Sequence, residues 1–544
     1  MGNDFGLMLM TRRRKREYFI LTLLACLGLA LRWMRLDLMS FRFDSAEELF
    51  RARETLQSGF PPFTGIINSM GFRNPAAFTW ILAPIVALTP DPRHAAAWIG
   101  LISMTGLWPM YRMSRFLLRG VVMWLPCVVY VVMPAHVFWG RSIWSLNLMP
   151  VVGAWALWAV LMTSCARIGN SRKLGFLLAG LAALCLGVLI HPSGAAWIIV
   201  ASLYMTPVAL RSRWPGSAVA GGLLILFVAM LFILPSLLDG FRVMRAPPKK
   251  PEYAAQYESK LPPPKNMAGR LPDAFGGLFE IFSSWGATGG IDQQIGAAAA
   301  IAGRLADVAL LVLFLAGTVR ALLTRKRKDW LLLAWCFLPP LVAAVVLSRP
   351  YGSYYSMALP AMLLLCACPL SRMGLAAGLR LTHVMNIVSM TVIWLCVLAY
   401  VWFLLACFAA VASSGYVHGP YYIPLKPQQQ LAKGVADSGV KAGNFVHLSG
   451  EWFQRPYDYL LRHVYRVHES WAGMPMPYSD GWGSRFQGAM AIAEDILLRG
   501  RQKARADYME NHATFRVGEV VVAVASDPLE ARELIMGFWE IPAE

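Results

Sequence analysis

The sequence predicts a polytopic α-helical membrane protein with about eleven transmembrane helices and a small C-terminal α/β extracytoplasmic domain. Three observations predict it. Only 15% of the 544 residues are charged and 57% are hydrophobic, with a mean hydropathy of +0.50; a soluble chain carries about 25% charged residues. Apolar stretches of roughly the 20 residues that a spanning helix needs recur up to residue 412. The basic residues between them gather in alternate loops, which is the positive-inside pattern.

The expected spans lie near 18–36, 94–111, 121–138, 148–166, 174–190, 194–210, 217–238, 300–319, 330–347, 353–371 and 384–412. Alternate loops hold Arg112, Arg115 and Arg119; Arg167, Arg172 and Lys173; Arg211 and Arg213; Arg325 to Lys328; Arg372 and Arg380. Together with the basic run at 12–16, they put the N-terminus in the cytoplasm, and a bacterial inner membrane is expected. No small-residue cleavage site follows the first apolar run; Arg32 and Trp33 do, so it reads as a signal anchor. The net charge of +19 is absorbed by these loops, which argues against a nucleic-acid partner and for membrane lipids. Residues 76–90 are apolar but short, with Pro84 in the middle. Counting them as a span would place Arg112, Arg115 and Arg119 outside, so they are expected to form a re-entrant or interfacial helix.

The chain thus divides into a transmembrane domain, 1–412, and a soluble extracytoplasmic domain, 413–544. The transmembrane domain carries a first external loop at 37–93 and another at 239–299, the latter Pro-rich at Pro247–Pro248 and Pro262–Pro264 and expected to hold little order. The tail mixes expected strands at Gly443–Leu448 and Val517–Ala525 with helical patterns at Tyr457–His463, Phe486–Arg499 and Asp527–Phe538. All nine cysteines lie in or beside apolar segments, so the exported parts carry no disulfide framework and no zinc-type spacing.

Five stretches could carry chemistry. Phe41-Arg42-Phe43-Asp44-Ser45-Ala46-Glu47-Glu48 follows the first span and puts three carboxylates at a membrane surface. Asp44 reads either as a helix cap or as a reactive acid, and Glu47, Glu48 and Glu54 read as a solvated helix face. Ser58 to Pro75 is Gly- and Pro-rich, a connector or a substrate-facing loop that presents Arg73 and Asn74 to headgroups. Trp139 to Pro150 places Arg141 and Asn147 between two spans, where Arg141 runs against the positive-inside trend and suits either an interfacial anchor or a phosphate. His191 breaks two spans at Pro192, as a structural turn or a catalytic group. Arg349, Tyr351, Tyr354 and Tyr355 repeat the pattern of an external Arg, here among belt tyrosines.

These stretches resemble the GT-C glycosyltransferase superfamily, in the branch of the protein O-mannosyltransferases and the lipid A aminoarabinose transferase. The likeness runs from Asp44 through Glu54, Gly59 to Asn68, and Asn74-Pro75 into Phe78 and Trp80. Gly140, Arg141, Trp144, Asn147 and Pro150 resemble the next external motif, and Tyr354-Tyr355 with Pro360 a later one. It covers 35–200 well and the other spans loosely. The resemblance implies a polyprenyl-phosphate-linked sugar donor, a glycan, lipid or protein acceptor, and transfer to a hydroxyl with inversion. Asp44 would be the base, with Arg349 and Arg141 on the phosphate and Glu47 among the substrate contacts. The acid that follows Asp44 in the family is Ser45 here, and a second external acid becomes Asn147. No cofactor is therefore implied, and a divalent metal stays open.

Three rivals remain at this level. A lipid-linked polysaccharide polymerase or ligase shares the donor but relies on Arg and His. A transporter would place ionisable residues mid-span with repeat symmetry, whereas the sequence has few charges within the spans and no repeats. A scaffold would act through the tail, whose aromatics Trp452, Tyr457, Tyr459, Trp471, Tyr478 and Trp482 read as core or as sugar-stacking platforms.

Overall fold

The computed structural model describes residues 2–67, 72–165, 168–211, 216–245, 267–281, 283, 295–346, 352–373, 378–414, 424–437, 446–447, 456, 459–465, 490–494, 514–517 and 520–524. Arg349 and Tyr351 lie outside the described residues, as do Trp452, Tyr457, Trp471, Tyr478, Trp482 and the expected helix at Asp527–Phe538.

Helix α1 (Gly2–Trp33) ends where Arg35 takes a left-handed conformation, φ 52°, ahead of a 3-10 turn at Leu36–Leu38. The first external loop then builds α2 (Phe43–Ser58), a hairpin of β1 (Thr64–Ile67) and β2 (Arg73–Pro75), and α3 (Ala77–Leu88). At 12 residues, α3 is about 18 Å long and too short to cross a bilayer. The bundle continues through α4 (Pro92–Thr105), α5 (Leu107–Leu117), α6 (Leu125–Val132) and α7 (Pro134–Trp139). Next come α8 (Met149–Thr163), α9 (Asn170–Ile190), α10 (Ala195–Arg211) and α11 (Gly216–Arg245). After α12 (Met267–Glu280) come α13 (Ala297–Thr324), α14 (Arg327–Val346), α15 (Leu359–Met373) and α16 (Gly378–Ser414).

Seven helical stretches among the described residues are long and apolar enough to cross a membrane, so the chain is an integral membrane protein. The expected spans at 94–111 and 121–138 are each broken, the first at Gly106 and the second at Met133, where Pro134 starts a new helix. The segments built on α8 and α15 are 89% buried and form the centre, whereas that of α11 is only 11% buried and lies at the edge. The 239–299 loop also holds more order than its prolines suggest. Helix α12 buries Ala274 and Leu278 and packs on α14 and the 3-10 turn Gly352–Ala358.

In the tail, α17 (Leu425–Asp437) precedes a four-stranded sheet of β3 (Val446–His447), β4 (Met490–Glu494), β5 (Thr514–Val517) and β6 (Val520–Val524), in the order β3-β4-β6-β5. β3 and β4 are parallel, and the β5–β6 hairpin adds antiparallel to β4. The expected helix at Phe486–Arg499 is corrected at its centre. Met490–Glu494 is a strand because the β-branched run of β6 offers it a full edge of pairing, which a short helical period cannot outweigh.

Candidate active site

The site is built around α2. Its apolar stripe of Ala46, Leu49 and Phe50 faces the core, and Asp44, Glu47 and Glu48 share the neighbouring stripe at i, i+3 and i+4. The helix starts at an extended Arg42, and no side chain caps it. Asp44 is therefore a first-turn acid rather than a cap, favoured there by the helix dipole. It is half-buried, and burial raises its pKa while the charge of Arg42 lowers it.

Glu47 and Glu48 do not form a solvated face. They are 4% and 2% exposed, because α3 packs across α2 and covers the stripe; Glu54 alone stands in solvent. Thr79 Oγ1 of α3 donates to Glu48 Oε2 at 3.1 Å, and Arg51 Nε lies 3.9 Å from Glu47 Oε1. Burial pushes the Glu48 carboxyl up to about 8, with the Thr79 bond opposing the shift and the nearby Asp44 and Glu47 charges adding to it. At neutral pH Glu48 is largely protonated, which removes one like charge from beside Asp44.

The hairpin braces α3. A Cβ at Gly65 would sit 2.9 Å from the Pro75 carbonyl, so close strand pairing requires glycine there. The Arg73 N–H donates to Asp239 Oδ2 of α11 at 2.8 Å, and Asn74 is buried. Asn74 thus serves the hairpin's interior instead of facing headgroups, while the Arg73 side chain is half-buried.

A second wall comes from the turns at the same end of the bundle. The Arg42 guanidinium lies 4.9 Å from the Trp144 ring, which ties the start of α2 to the 3-10 turn Ser145–Leu148. Asn147 is buried and donates to the Ser142 carbonyl at 3.0 Å and to Ser142 Oγ, closing its own turn. The Ser356 hydroxyl donates to Leu146 O, joining this turn to Gly352–Ala358. There Tyr354 stacks on His191 at 5.5 Å, so two motifs distant in sequence meet. His191 Nδ1 accepts from Ser193 N–H, which leaves the proton on Nε2, and burial lowers its pKa to about 3. His191 is therefore a neutral turn-former and donor. Tyr355 is fully buried, and its hydroxyl has no hydrogen-bond partner among the described residues. Arg141 is 1% exposed, donates to Arg35 O and lies over Phe408, so its guanidinium belongs to the protein interior.

Asp44, Arg42, Trp144, Tyr354 and His191 thus line connected elements, whereas Asn147 and Arg141 are turned into the chain. Among the described residues no group of three His, Cys, Asp or Glu side chains is placed to share a metal ion, and the Asn147 amide nitrogen is spent on Ser142.

No protein-family model matches the sequence, and no curated protein matches it. The structure does have relatives. It matches the apo form of ArnT, an aminoarabinose transferase, from Cupriavidus metallidurans with a TM-score of 0.57 at 13% identity, over 94% of this chain and 98% of that one. It matches the same protein bound to undecaprenyl phosphate with a TM-score of 0.57 at 13% identity, over 92% and 97%. The fold is the GT-C fold. A weaker likeness, TM-score 0.47 at 12% identity, reaches the archaeal oligosaccharyltransferase AglB from Archaeoglobus fulgidus in complex with an inhibitory peptide and a dolichol-phosphate, over 97% of this chain and 75% of that one. Sequence reasoning quoted Arg42 without giving it a role and read Glu48 as part of a solvated face. The signal for Arg42 was its place two residues before Asp44; Glu48 had none, because its burial depends on Thr79, 31 residues away.

Proposed function

We propose that the protein is an inverting glycosyltransferase that moves a sugar from a polyprenyl-phosphate donor to a hydroxyl acceptor at the outer membrane face, with the N-terminus in the cytoplasm and the tail outside. The observation that carries the reading is a half-buried first-turn carboxylate, Asp44, beside the cationic Arg42 in a chain with the GT-C fold. The solved ArnT bound to undecaprenyl phosphate supports the choice of donor class.

In this reading the acceptor oxygen bonds to the anomeric carbon as the bond from that carbon to the phosphate oxygen breaks. The polyprenyl phosphate leaves with the electron pair, and the hydroxyl proton passes to Asp44. Phosphate is a good leaving group, so one base suffices, and the raised pKa of Asp44 strengthens it as a proton acceptor. Cationic side chains stabilise the charge growing on phosphate. Arg42 is better exposed for that task than Arg141, and Arg349 is proposed to share it. His191 Nε2–H and Tyr354 are proposed to contact the sugar.

The test is transfer from a panel of polyprenyl-phosphate sugars by purified protein in nanodiscs. Asp44→Asn is expected to lower turnover by about 10²-fold or more while leaving the fold intact, in line with the loss of a general base. Near wild-type turnover in the variant would move the base elsewhere. Arg349→Ala is expected to weaken donor binding.

A further inference from the structure

We infer that the tip of the first external loop, centred on Phe60 and Phe63, is inserted among the acyl chains of the bilayer and anchors the carboxylate helix to it. Phe60 is 78% exposed and Phe63 56%, with Ile67 beside them. The sequence has no charged residue from Thr55 to Phe72, whereas a loop tip bathed in water is normally polar.

Continuity with the lipid-facing wall names the occupant. Phe63 stacks on Phe232 at 6.1 Å, and Trp80 meets the same ring edge-on at 5.0 Å. Phe232 lies in the middle of Val219–Val243, the apolar span of α11 that buries only 11% of itself in the protein. A ring resting on the middle of a lipid-exposed span is at hydrocarbon depth.

The backbone of the tip is suited to that depth. Bilayer hydrocarbon offers no hydrogen bonds, so each polar backbone group needs a partner within the protein. Pro61 and Pro62 carry no N–H. The Pro62 carbonyl accepts from Trp80 Nε1 at 3.0 Å. The Ser58 hydroxyl donates to Phe60 O at 3.1 Å and accepts from Phe60 N–H at 3.4 Å. The tip has thus satisfied these groups without water while turning two large rings outward. A peptide or glycan partner would need free backbone groups to bind; lipid would not.

The experiment places a benzophenone amino acid at Phe60 in the full chain, in nanodiscs of phosphatidylethanolamine and phosphatidylglycerol, with Phe63 as a second site should the first variant fold poorly. Phe227 on α11, 62% exposed, is the lipid-facing reference, and exposed Lys426 of α17 is the aqueous one. After irradiation, mass spectrometry is expected to find phospholipid adducts at Phe60 or Phe63 in yields within about threefold of Phe227, and none at Lys426. Adducts at Phe227 with only intrachain crosslinks, or no crosslinks, at both tip positions would overturn the inference. The readout does not depend on catalysis, so it stands or falls apart from the proposed transferase reaction.

Discussion

The protonation of two carboxyls decides what α2 can do. Asp44 is raised by burial and held down by Arg42, so removing that cation should raise it further. In the proposed reaction the rate climbs with pH as the base ionises. Arg42→Gln is therefore expected to move the acidic limb of the pH–rate profile to higher pH, and Arg42→Lys to restore much of it. A limb that stays in place in both would mean that another group is the base. Glu48 has the larger shift, to about 8, and it has a stability signature. A carboxyl with a raised folded pKa contributes stability that is fully present below the unfolded value, about 4.3 for Glu, and is lost as pH rises through the folded value. Glu48→Gln keeps an oxygen for Thr79 without the charge. The variant is expected to unfold at a higher temperature than the wild type at pH 8, with the gap closing towards pH 5. Thermal unfolding of both proteins at the two pH values checks this. Asp44 was legible through the resemblance of its stretch to an acidic first-loop motif, since by itself it read equally well as a helix cap. Glu48 was not, since nothing in its neighbourhood announces that Thr79 will cover it.

Helices in this bundle approach closely where glycine removes a side chain, and such contacts organise the second wall. A Cβ at Gly153 of α8 would lie 2.5 Å from the Met357 carbonyl, in the turn that carries Tyr354 and Tyr355. The same carbonyl accepts from Trp335 Nε1 at 3.0 Å, so it is fixed from both sides. Gly153→Ala must displace that turn, which is expected to cost about 1–3 kcal/mol and to disturb the stacking of Tyr354 on His191. Gly175 of α9 has open space around its Cβ position, and Gly175→Ala is expected to be neutral or to stabilise by up to about 1 kcal/mol. Thermal unfolding in detergent compares the two. Much of the helical order was readable from apolar length, and the short α3 was readable from its length and Pro84. The break at Met133 had a signal in Pro134, which cannot continue a helix, whereas the break at Gly106 had none, because an apolar run has the same composition whether its axis is straight or bent. What bends it is packing: a Cβ at Gly106 would collide with the Tyr130 hydroxyl, which donates to Ser103 O at 3.0 Å.

At the scale of the whole chain, the tail returns to hold the loop that carries Asp44. Leu425 N–H donates to Met39 O at 2.9 Å and Gln428 Nε2 to Phe41 O at 2.7 Å, just ahead of α2. Tyr459 is buried edge-on between Phe41 and Phe50, and its hydroxyl donates to Pro90 O at 2.9 Å at the far end of the same loop. This decides one ambiguity of the sequence, for Tyr459 is core. The contacts span 369 residues for the Tyr459 bond, a separation that no local pattern can report. Removing the ring leaves a cavity against Phe41 and Phe50, and Tyr459→Ala is expected to destabilise this region by about 3–5 kcal/mol. Because these contacts join the tail to the first external loop and leave the apolar spans untouched, the loss should be local. Hydrogen exchange should quicken in α2 and α17 but not in α8 or α15. Equal acceleration in α8 and α15 would mean that the tail supports the bundle as a whole, and unchanged exchange in α2 would mean that it does not hold the carboxylate helix. Tyr459→Phe, which keeps the ring and loses only the bond to Pro90, is expected to show a smaller change confined to the junction of α3 and α4, separating the part played by packing from that of the hydrogen bond.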